Sequence, residues 1–295
     1  MPTFPTLFWR LPVLFGTGVL AGFVDSIAGG GGLITLPVLL NLGLSPQDAL
    51  GTNKLQATFG SGSAAWHYAQ AKTVPLRDCT RGFTLSFLGA ALGALAVQRV
   101  APDFLRRAIP ILLVAVALYM LLKPQLGAAD IHPRMNRGWF DVTFGLLIGF
   151  YDGFFGPGTG TFWTMAFVVG LGFNLTRATG YTKVMNFGSN LSSLVFFICG
   201  GRVEFVAGLT MGIGQLLTMP IFFASNAIYP IDLMPRWLKA IARINPLTYE
   251  VDGLRLLMLR STDSSFRLLT DFSVLLVISV VLLLIASRLY KRMAT

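Results

Sequence analysis

The chain has 295 residues, of which 54% are hydrophobic and 12% are charged, and its formal net charge is +10. About a quarter of the residues of an ordinary soluble domain are charged, so this composition excludes such a domain. The basic residues fall singly or in small groups between apolar segments, which fits loops beside anionic lipid better than a nucleic-acid-binding face. We therefore expect a lipid bilayer, and no nucleic acid, as a partner.

Long apolar stretches follow one another along the chain, and several approach or exceed the roughly 20 residues that cross a bilayer. The stretches without Asp, Glu, Lys or Arg include 26–46, 55–71, 82–98, 108–122, 154–176, 184–201, 205–231 and 272–287. The sequence predicts an all-α fold, a polytopic helical membrane protein whose first apolar segment is an uncleaved membrane span.

The metal-binding and nucleophilic residue types stand alone in this sequence. Cys79 and Cys199 are far apart, and His67 and His132 are isolated. This spacing fits neither a disulfide framework nor a zinc site, and no nucleophile motif accompanies it. We expect no metal, no cofactor and no enzymatic activity.

A glycine run interrupts the first apolar region. Residues 24–33 read VDSIAGGGGL, which places four glycines and Asp25 where a hydrophobic helix would be expected. Glycine disfavours helix, so the run predicts a helix break. A dinucleotide-binding loop at 11–22 is disfavoured because no alternation of strands and helices follows it. The stretch GPGTGT at 156–161 lacks the lysine of a phosphate-binding loop.

The break has a counterpart later in the chain, because GVLAGFVDSIAGGGG at 18–32 matches GLLIGFYDGFFGPGTG at 145–160. The matched positions are Gly18, Gly22, Phe23 and Asp25 with Gly145, Gly149, Phe150 and Asp152, and then Ala49, Gly51 and Lys54 with Ala178, Gly180 and Lys183. We interpret this as two internal repeats, over about 12–100 and 139–217. Membrane transporters often contain such repeats, commonly inverted, with glycine-broken helices at the substrate site.

Four ionisable residues occupy matched positions in these repeats, namely Asp25, Asp152, Lys54 and Lys183. A charge at membrane depth costs on the order of 2.5 to 3.5 kcal/mol on insertion scales, so it usually faces a cavity or a partner. The alternative is that the lysines reach the interface and the aspartates cap helices. Their duplication favours a functional role.

Two lysines beside helix N-termini at the breaks would form a positive cavity for a small anion. Neutral side chains nearby can hydrogen-bond an oxyanion. The predicted substrate-binding residues are Lys54, Lys183, Asn53, Gln56, Thr182, Asn186, Asn190, Gly30, Gly31 and Gly158. We expect both lysines to face the transport cavity, and Asp25 and Asp152 to serve in coupling to a proton or cation.

A family resemblance rests on long motifs in order. These are GFVDSIAGGGGLITLPVLLNLGLSPQDALGTNKLQATFGSGSAAWHYAQ, GFYDGFFGPGTGTFW, TKVMNFGSNLSSLVFF and AGLTMGIGQLL. Residues 12 to about 217 resemble the sulfite exporter TauE/SafE family of bacterial inner-membrane permeases. The resemblance implies a multi-pass inner-membrane permease that exports sulfite, a sulfonate or a related organic anion without hydrolysing ATP. We expect it to work by alternating access, with a small anionic substrate as partner and no ATPase subunit.

The remaining segment, 218–295, resembles the end of an ABC-2 type permease through FFASNAIYP, MPRWL and NPLTYEVDGLR. We therefore predict two regions, 1–217 and 218–295. Within the second, 234–244 has the pattern of an interfacial helix, with Trp237 and Ile241 near one face and Arg236 on another, and 272–287 is a predicted span.

The join leaves two alternative functions open. The chain could be an ABC-2 type exporter subunit, or a transport-inactive fusion product that lacks the closing helices of the permease. Membrane orientation is also open, because the basic residues after 287 favour a cytoplasmic C-terminus and would place the basic helix 234–244 outside. The sequence carries no signal for oligomeric state, for the coupling ion or for the direction of transport.

Overall fold

In a computed structural model, the chain is described over residues 4–28, 30–70, 74–122, 132–225, 231–259, 266 and 268–277. Every regular element in these ranges is helical, as the sequence predicts. The chain forms two compact units, one of residues 14–216 and one of residues 1–13 with 217–295. The predicted division at residue 217 into regions of different origin stays a prediction.

The helices follow one another along the chain. In chain order they are α1 (Phe4–Ala28), α2 (Gly32–Asn41), α3 (Pro46–Gln70), α4 (Leu76–Gln98), α5 (Pro102–Leu122), α6 (Arg137–Phe154), α7 (Thr159–Leu171), α8 (Leu175–Cys199), α9 (Phe205–Phe223), a 3-10 turn (Ile231–Leu233), α10 (Arg236–Ile244), α11 (Pro246–Leu259) and α12 (Leu268–Val277).

The helix breaks predicted at the two glycine-rich stretches are present. The first separates α1 from α2 between Ala28 and Gly32, and the second separates α6 from α7 between Phe154 and Thr159. In the second break Gly156 has a φ of +95° and Gly158 a φ of +79°. Glycine adopts this left-handed backbone conformation without the steric cost that other residues incur, so these two positions require glycine.

Two runs of elements share the same order on either side of α5. The run α1, α2, α3 and the run α6, α7, α8 each consist of a helix, a glycine break, a short helix and a 25-residue helix. The short helices have 10 and 13 residues. This shared order is what the predicted duplication requires, and the symmetry that relates the two runs stays a prediction.

Helices α4 and α6 pack closely because small residues line their contact. A Cβ on Gly149 would lie 2.5 Å from the carbonyl oxygen of Ser86, and a Cβ on Gly153 would overlap the carbonyl group of Ala90. From the other side, a Cβ on Gly89 would lie 2.5 Å from the carbonyl oxygen of Leu146. Such close backbone approach is the usual basis of helix association in membranes.

The unit 14–216 buries polar side chains together with its apolar core and exposes many apolar ones. Helix α8 packs against α3, α4, α6 and α7, and its polar residues are mostly buried. Large apolar side chains are exposed, among them Leu88, Leu92, Ile111, Val114 and Leu147. Such exposed apolar surface is expected where the outer surface contacts lipid.

Among the described residues, α4 alone meets a length-and-composition test for a bilayer-spanning helix. The helices α2 and α7 are apolar and too short, because the glycine breaks divide them from their neighbours. Helices α3 and α8 are long enough at 25 residues, and each carries a lysine and at least two amide side chains that lower its hydropathy. Broken and polar helices of this kind are found at the centre of transporters.

The described part of the 217–295 segment includes a strongly amphipathic helix, α10. Its apolar residues Trp237, Ile241 and Ile244 are exposed rather than packed in a core. An exposed apolar face flanked by basic residues is the pattern expected of an interfacial helix. The predicted span 272–287 begins within α12, and its residues 278–287, like the basic residues near the C-terminus, lie outside the described residues.

The contact of α4 with α6 generates a first prediction. We expect Gly153→Ala to lower the free energy of unfolding by about 1–3 kcal/mol, because the added methyl group meets backbone that cannot move aside. The measurement is denaturant-induced unfolding in detergent micelles. Gly16→Ala is the matched control, since a Cβ at Gly16 meets nothing within 4 Å. Equal stability of the two variants would contradict the close packing.

Candidate substrate site at the two glycine breaks

The first buried ion pair joins Lys54 in α3 to Asp152 near the end of α6. The Lys54 Nζ lies 2.7 Å from the Asp152 Oδ1, and the two side chains are 1% and 2% exposed. A Cβ on Gly156 would lie 3.0 Å from the Lys54 Nζ, so the glycine of the second break gives the ammonium group room. The pair is therefore removed from solvent and directly adjoins the break.

Hydrogen bonds from neutral side chains complete this pair. The Asp152 carboxylate accepts a hydrogen bond of 2.9 Å from the Thr159 hydroxyl and another from the Ser189 hydroxyl. The Lys54 ammonium also donates to the Asn190 Oδ1 at 3.1 Å. A buried charge is tolerated when it is paired and its remaining hydrogen-bonding capacity is used, and both charges here meet that condition.

The second ion pair joins Lys183 in α8 to Asp25 near the end of α1. The Lys183 Nζ donates to the Asp25 Oδ2 at 3.1 Å and to the Asp25 backbone carbonyl at 2.8 Å. The side chains are 6% and 16% exposed. Because α1 ends at Ala28, the Asp25 carbonyl is among the last four of the helix, which lack an intrahelical partner.

Each lysine pairs with the aspartate of the other repeat as the sequence analysis defines them. Lys54 of the first pairs with Asp152 of the second, and Lys183 of the second pairs with Asp25 of the first. The four charges cancel in this conformation. The sequence predicts lysines beside helix N-termini, but both lysines meet aspartates in the final turns of α1 and α6. Thr159 at the start of α7 also contacts Asp152.

Both lysines point into the protein interior, since Lys54 is 1% and Lys183 5% exposed. Helix α8 links the two pairs through a polar stripe, because Lys183 and Asn190 are seven residues apart, about 10 Å along the helix axis. Between them, the Asn186 Oδ1 is buried and has no hydrogen-bond partner within the described part of the chain. Thr182 shares a hydrogen bond of 3.2 Å with Thr164 of α7.

The other predicted polar residues lie on α3. The Asn53 Oδ1 accepts a hydrogen bond from Thr35 of α2, so the short helix after the first break is fastened to α3. The Gln56 Nε2 donates to Gln215 of α9, while the Gln56 Oε1 is buried without a partner among the described residues. Buried amide oxygens of this kind are costly unless something fills their hydrogen bonds.

The predicted glycines of both breaks are covered by α5, which the sequence analysis did not include in the site. A Cβ on Gly30 would lie 2.9 Å from the Met120 Cε, and a Cβ on Gly158 would overlap the Val116 side chain. A Cβ on Gly31 would lie 2.9 Å from the Ala21 carbonyl oxygen. Glycine at these positions therefore lets each break lie against a neighbouring helix.

Comparison with known proteins identifies the family. The family described as "Sulfite exporter TauE/SafE" matches residues 14–232, most of the chain. The chain belongs to this family. It is accordingly a membrane permease with a helical, polytopic fold, and not an enzyme, since the family and its relatives are named as membrane transporters. The family match continues past residue 217, the expected end of the resemblance.

Individual relatives agree with this assignment. The chain is 47% identical over 221 residues to the "Probable membrane transporter protein YfcA" of Escherichia coli strain K12. The aligned residues cover 74% of this chain and 82% of that protein. It is 48% identical over 210 residues to the "Probable membrane transporter protein ORF9" of Sinorhizobium, 71% of this chain and 80% of that protein. A protein of Cyanophora paradoxa named as a transport permease, ycf38, is 38% identical over 100 residues, or 33% of each chain. No solved structure matches.

Several residues that complete the site of this TauE/SafE-family permease were not predicted from the sequence. Thr159, Gln215 and the α5 residues Val116 and Met120 all contact predicted site residues. Thr159 could have been found, because it directly follows the second break and a threonine there can reach a carboxylate in the last turn before the break. Val116 and Met120 carry no such signal, because nothing in an apolar helix shows which neighbour it covers.

The first ion pair generates a second prediction. We expect Lys54→Met to lower the free energy of unfolding by about 3–5 kcal/mol, because it leaves the Asp152 carboxylate buried and unpaired. The double variant Lys54→Met with Asp152→Asn should recover part of that loss, because no unpaired charge remains. Both are measured by denaturant-induced unfolding in detergent micelles.

The half-exposed pair of Arg202 and Asp48, 3.6 Å apart, supplies the control. Arg202→Met should cost about 1 kcal/mol or less, since exposed ion pairs contribute little. If Lys54→Met costs no more than Arg202→Met, the Lys54 pair is not the desolvated pair described above.

Proposed function

We propose that this chain exports a small anion, sulfite or a sulfonate or a related organic anion, by alternating access across the bacterial inner membrane, which it crosses several times. The family description names sulfite export, and this supports the substrate class. The observation that carries the proposal is the pair of buried lysines, each at a glycine break and each bound to a carboxylate.

The carboxylates explain why an anion is the fitting substrate. Lys54 and Lys183 already bind oxyanion groups in this structure, those of Asp152 and Asp25. A sulfite or sulfonate group has the same kind of acceptor oxygens and would make similar charge-assisted hydrogen bonds. We assign substrate contact to Lys54, Lys183, Asn53, Gln56, Thr182, Asn186, Asn190, Gly30, Gly31 and Gly158, and coupling to Asp25 and Asp152.

Alternating access is supported by the unequal state of the two breaks. One ion pair is sealed and the other is partly accessible, although both consist of the same residue types. A transporter with matched halves exposes one half of its site at a time and exchanges their roles during transport. The two breaks would then open in turn, toward opposite sides of the membrane.

Two alternatives are retained. One is an ABC-2 type exporter subunit, which the motifs quoted for 218–295 suggest. A transport-inactive fusion product is the other. The family match over most of the chain, and the two buried pairs within it, favour the permease. We propose that it works without an ATPase subunit.

Flux through purified protein tests the proposal. We expect proteoliposomes to release radiolabelled sulfite and methanesulfonate at a rate at least tenfold above protein-free vesicles, with or without ATP. Lys54→Gln with Lys183→Gln should abolish this release, because no ammonium group then binds the anion. Methanesulfonate is the more informative probe because it stays anionic at all relevant pH values.

The alternatives have distinct outcomes in the same assay. Anion release that needs both ATP and an added ATPase subunit would favour the interpretation as an ABC-2 type exporter subunit. The absence of release for every anion tested, from protein that elutes as one species in detergent, would favour the inactive fusion.

A further inference from the structure

The two ion pairs differ in how firmly their carboxylates are held. The Asp152 side chain is 2% exposed and accepts hydrogen bonds from Thr159 and Ser189 in addition to its contact with Lys54. The Asp25 side chain is 16% exposed. Among the described residues, its carboxylate accepts a hydrogen bond from Lys183. Asp25 is therefore the less firmly held of the two carboxylates, whereas Asp152 would have to break several bonds within the interior.

A carboxylate that is displaced from its lysine must be hydrated or paired with another group. Burying an unpaired carboxylate costs several kcal/mol, so a lysine can exchange its aspartate for a substrate anion only where the aspartate can be hydrated. In this conformation the burial of Asp152 excludes such an exchange, and of the two carboxylates Asp25 is the one with exposed surface at which hydration could occur.

We propose that Lys183 is the anion-loading residue in this conformation, and that the Asp25 carboxylate takes the place of the anion when the carrier is empty. This inference rests on the proposed function and deepens it. Asp25 acts as a tethered competitor for the substrate. It lowers the apparent affinity of Lys183 for the anion, and it neutralises the lysine once the anion has left.

The tethered carboxylate has a consequence for the empty carrier. Moving an unpaired lysine through the low-dielectric interior would be costly, so a carrier without an anion can change conformation only if its lysine is paired. Asp25 supplies that pairing. A carrier that lacks it can change conformation only with an anion bound, and it then exchanges anions without releasing them in net amounts.

One assay measures anion exchange and net anion efflux separately. Proteoliposomes are loaded with radiolabelled methanesulfonate and diluted either into unlabelled methanesulfonate, which reports exchange, or into gluconate buffer, which reports net efflux. Potassium and valinomycin on both sides keep the membrane voltage from opposing efflux. For Asp25→Asn we expect net efflux to fall at least tenfold, exchange to stay within twofold of the unmodified protein, and the half-saturating anion concentration for exchange to fall at least threefold.

Two further variants serve as comparisons. Lys183→Gln should lose both exchange and net efflux, because it removes the ammonium group itself. Asp103→Asn, at an exposed carboxylate in the first turn of α5, should change neither. Equal losses of exchange and efflux in Asp25→Asn would show that Asp25 has only a structural role, and unchanged rates of both would show that it has none in transport.

A measurement on the unmodified protein does not depend on how the variants fold. Carbodiimide and an amine nucleophile label accessible carboxyl groups, and mass spectrometry locates the label. We expect saturating methanesulfonate to raise labelling of Asp25 at least threefold and to leave Asp152 unlabelled. Labelling of Asp25 that stays constant or falls would overturn the inference.

Failure of this inference is distinguishable from failure of the proposed function. If the unmodified protein moves none of the tested anions, the proposed function is wrong and the inference falls with it. If the protein moves methanesulfonate while Asp25→Asn keeps full net efflux, the permease assignment stands and the role of Asp25 alone is refuted.

Discussion

The architecture of the 14–216 unit depends on pairing two buried lysine side chains with carboxylates. A lysine buried to 1% exposure is stable only beside an anionic partner, and Lys54 has one in Asp152. Asp152 lies in the last turn of α6, directly before the second break, where Gly156 leaves room for the Lys54 ammonium group. Thr159, Ser189 and Asn190 satisfy the hydrogen bonds that remain. The break and the polar face of α8 therefore meet at this ion pair.

The glycines contribute to this arrangement in two ways. At Gly156 and Gly158 the backbone turns through left-handed conformations between α6 and α7, so the chain reverses next to the ion pair. At Gly149 and Gly153 the missing side chains let α6 lie directly on α4, which positions the end of α6 and its Asp152. A bulkier residue at either kind of position would move the carboxylate away from Lys54, so local backbone freedom and helix packing both serve the same contact.

Much of this was predictable from residue patterns, and the rest required three dimensions. Apolar run lengths predicted the helices, the glycine runs predicted both breaks, and the matched positions singled out Asp25, Lys54, Asp152 and Lys183. Helical periodicity gives the face on which a residue lies but not the helix that the face meets. For that reason the pairing of each lysine with the distant aspartate, and the covering of Gly30 and Gly158 by α5, were not predicted.

The crossed pairing bears directly on transport. If each lysine had paired with the aspartate of its own repeat, either half could move without disturbing the charges of the other. Because Lys183 holds Asp25 and Lys54 holds Asp152, both ion pairs join the two runs of helices. In the proposed mechanism Lys183 is neutralised either by Asp25 or by the substrate anion, so this lysine is paired whenever the conformation changes. The anion and the carboxylate therefore compete for a lysine that joins the two runs, and a difference in their binding between conformations is what lets the substrate shift the equilibrium.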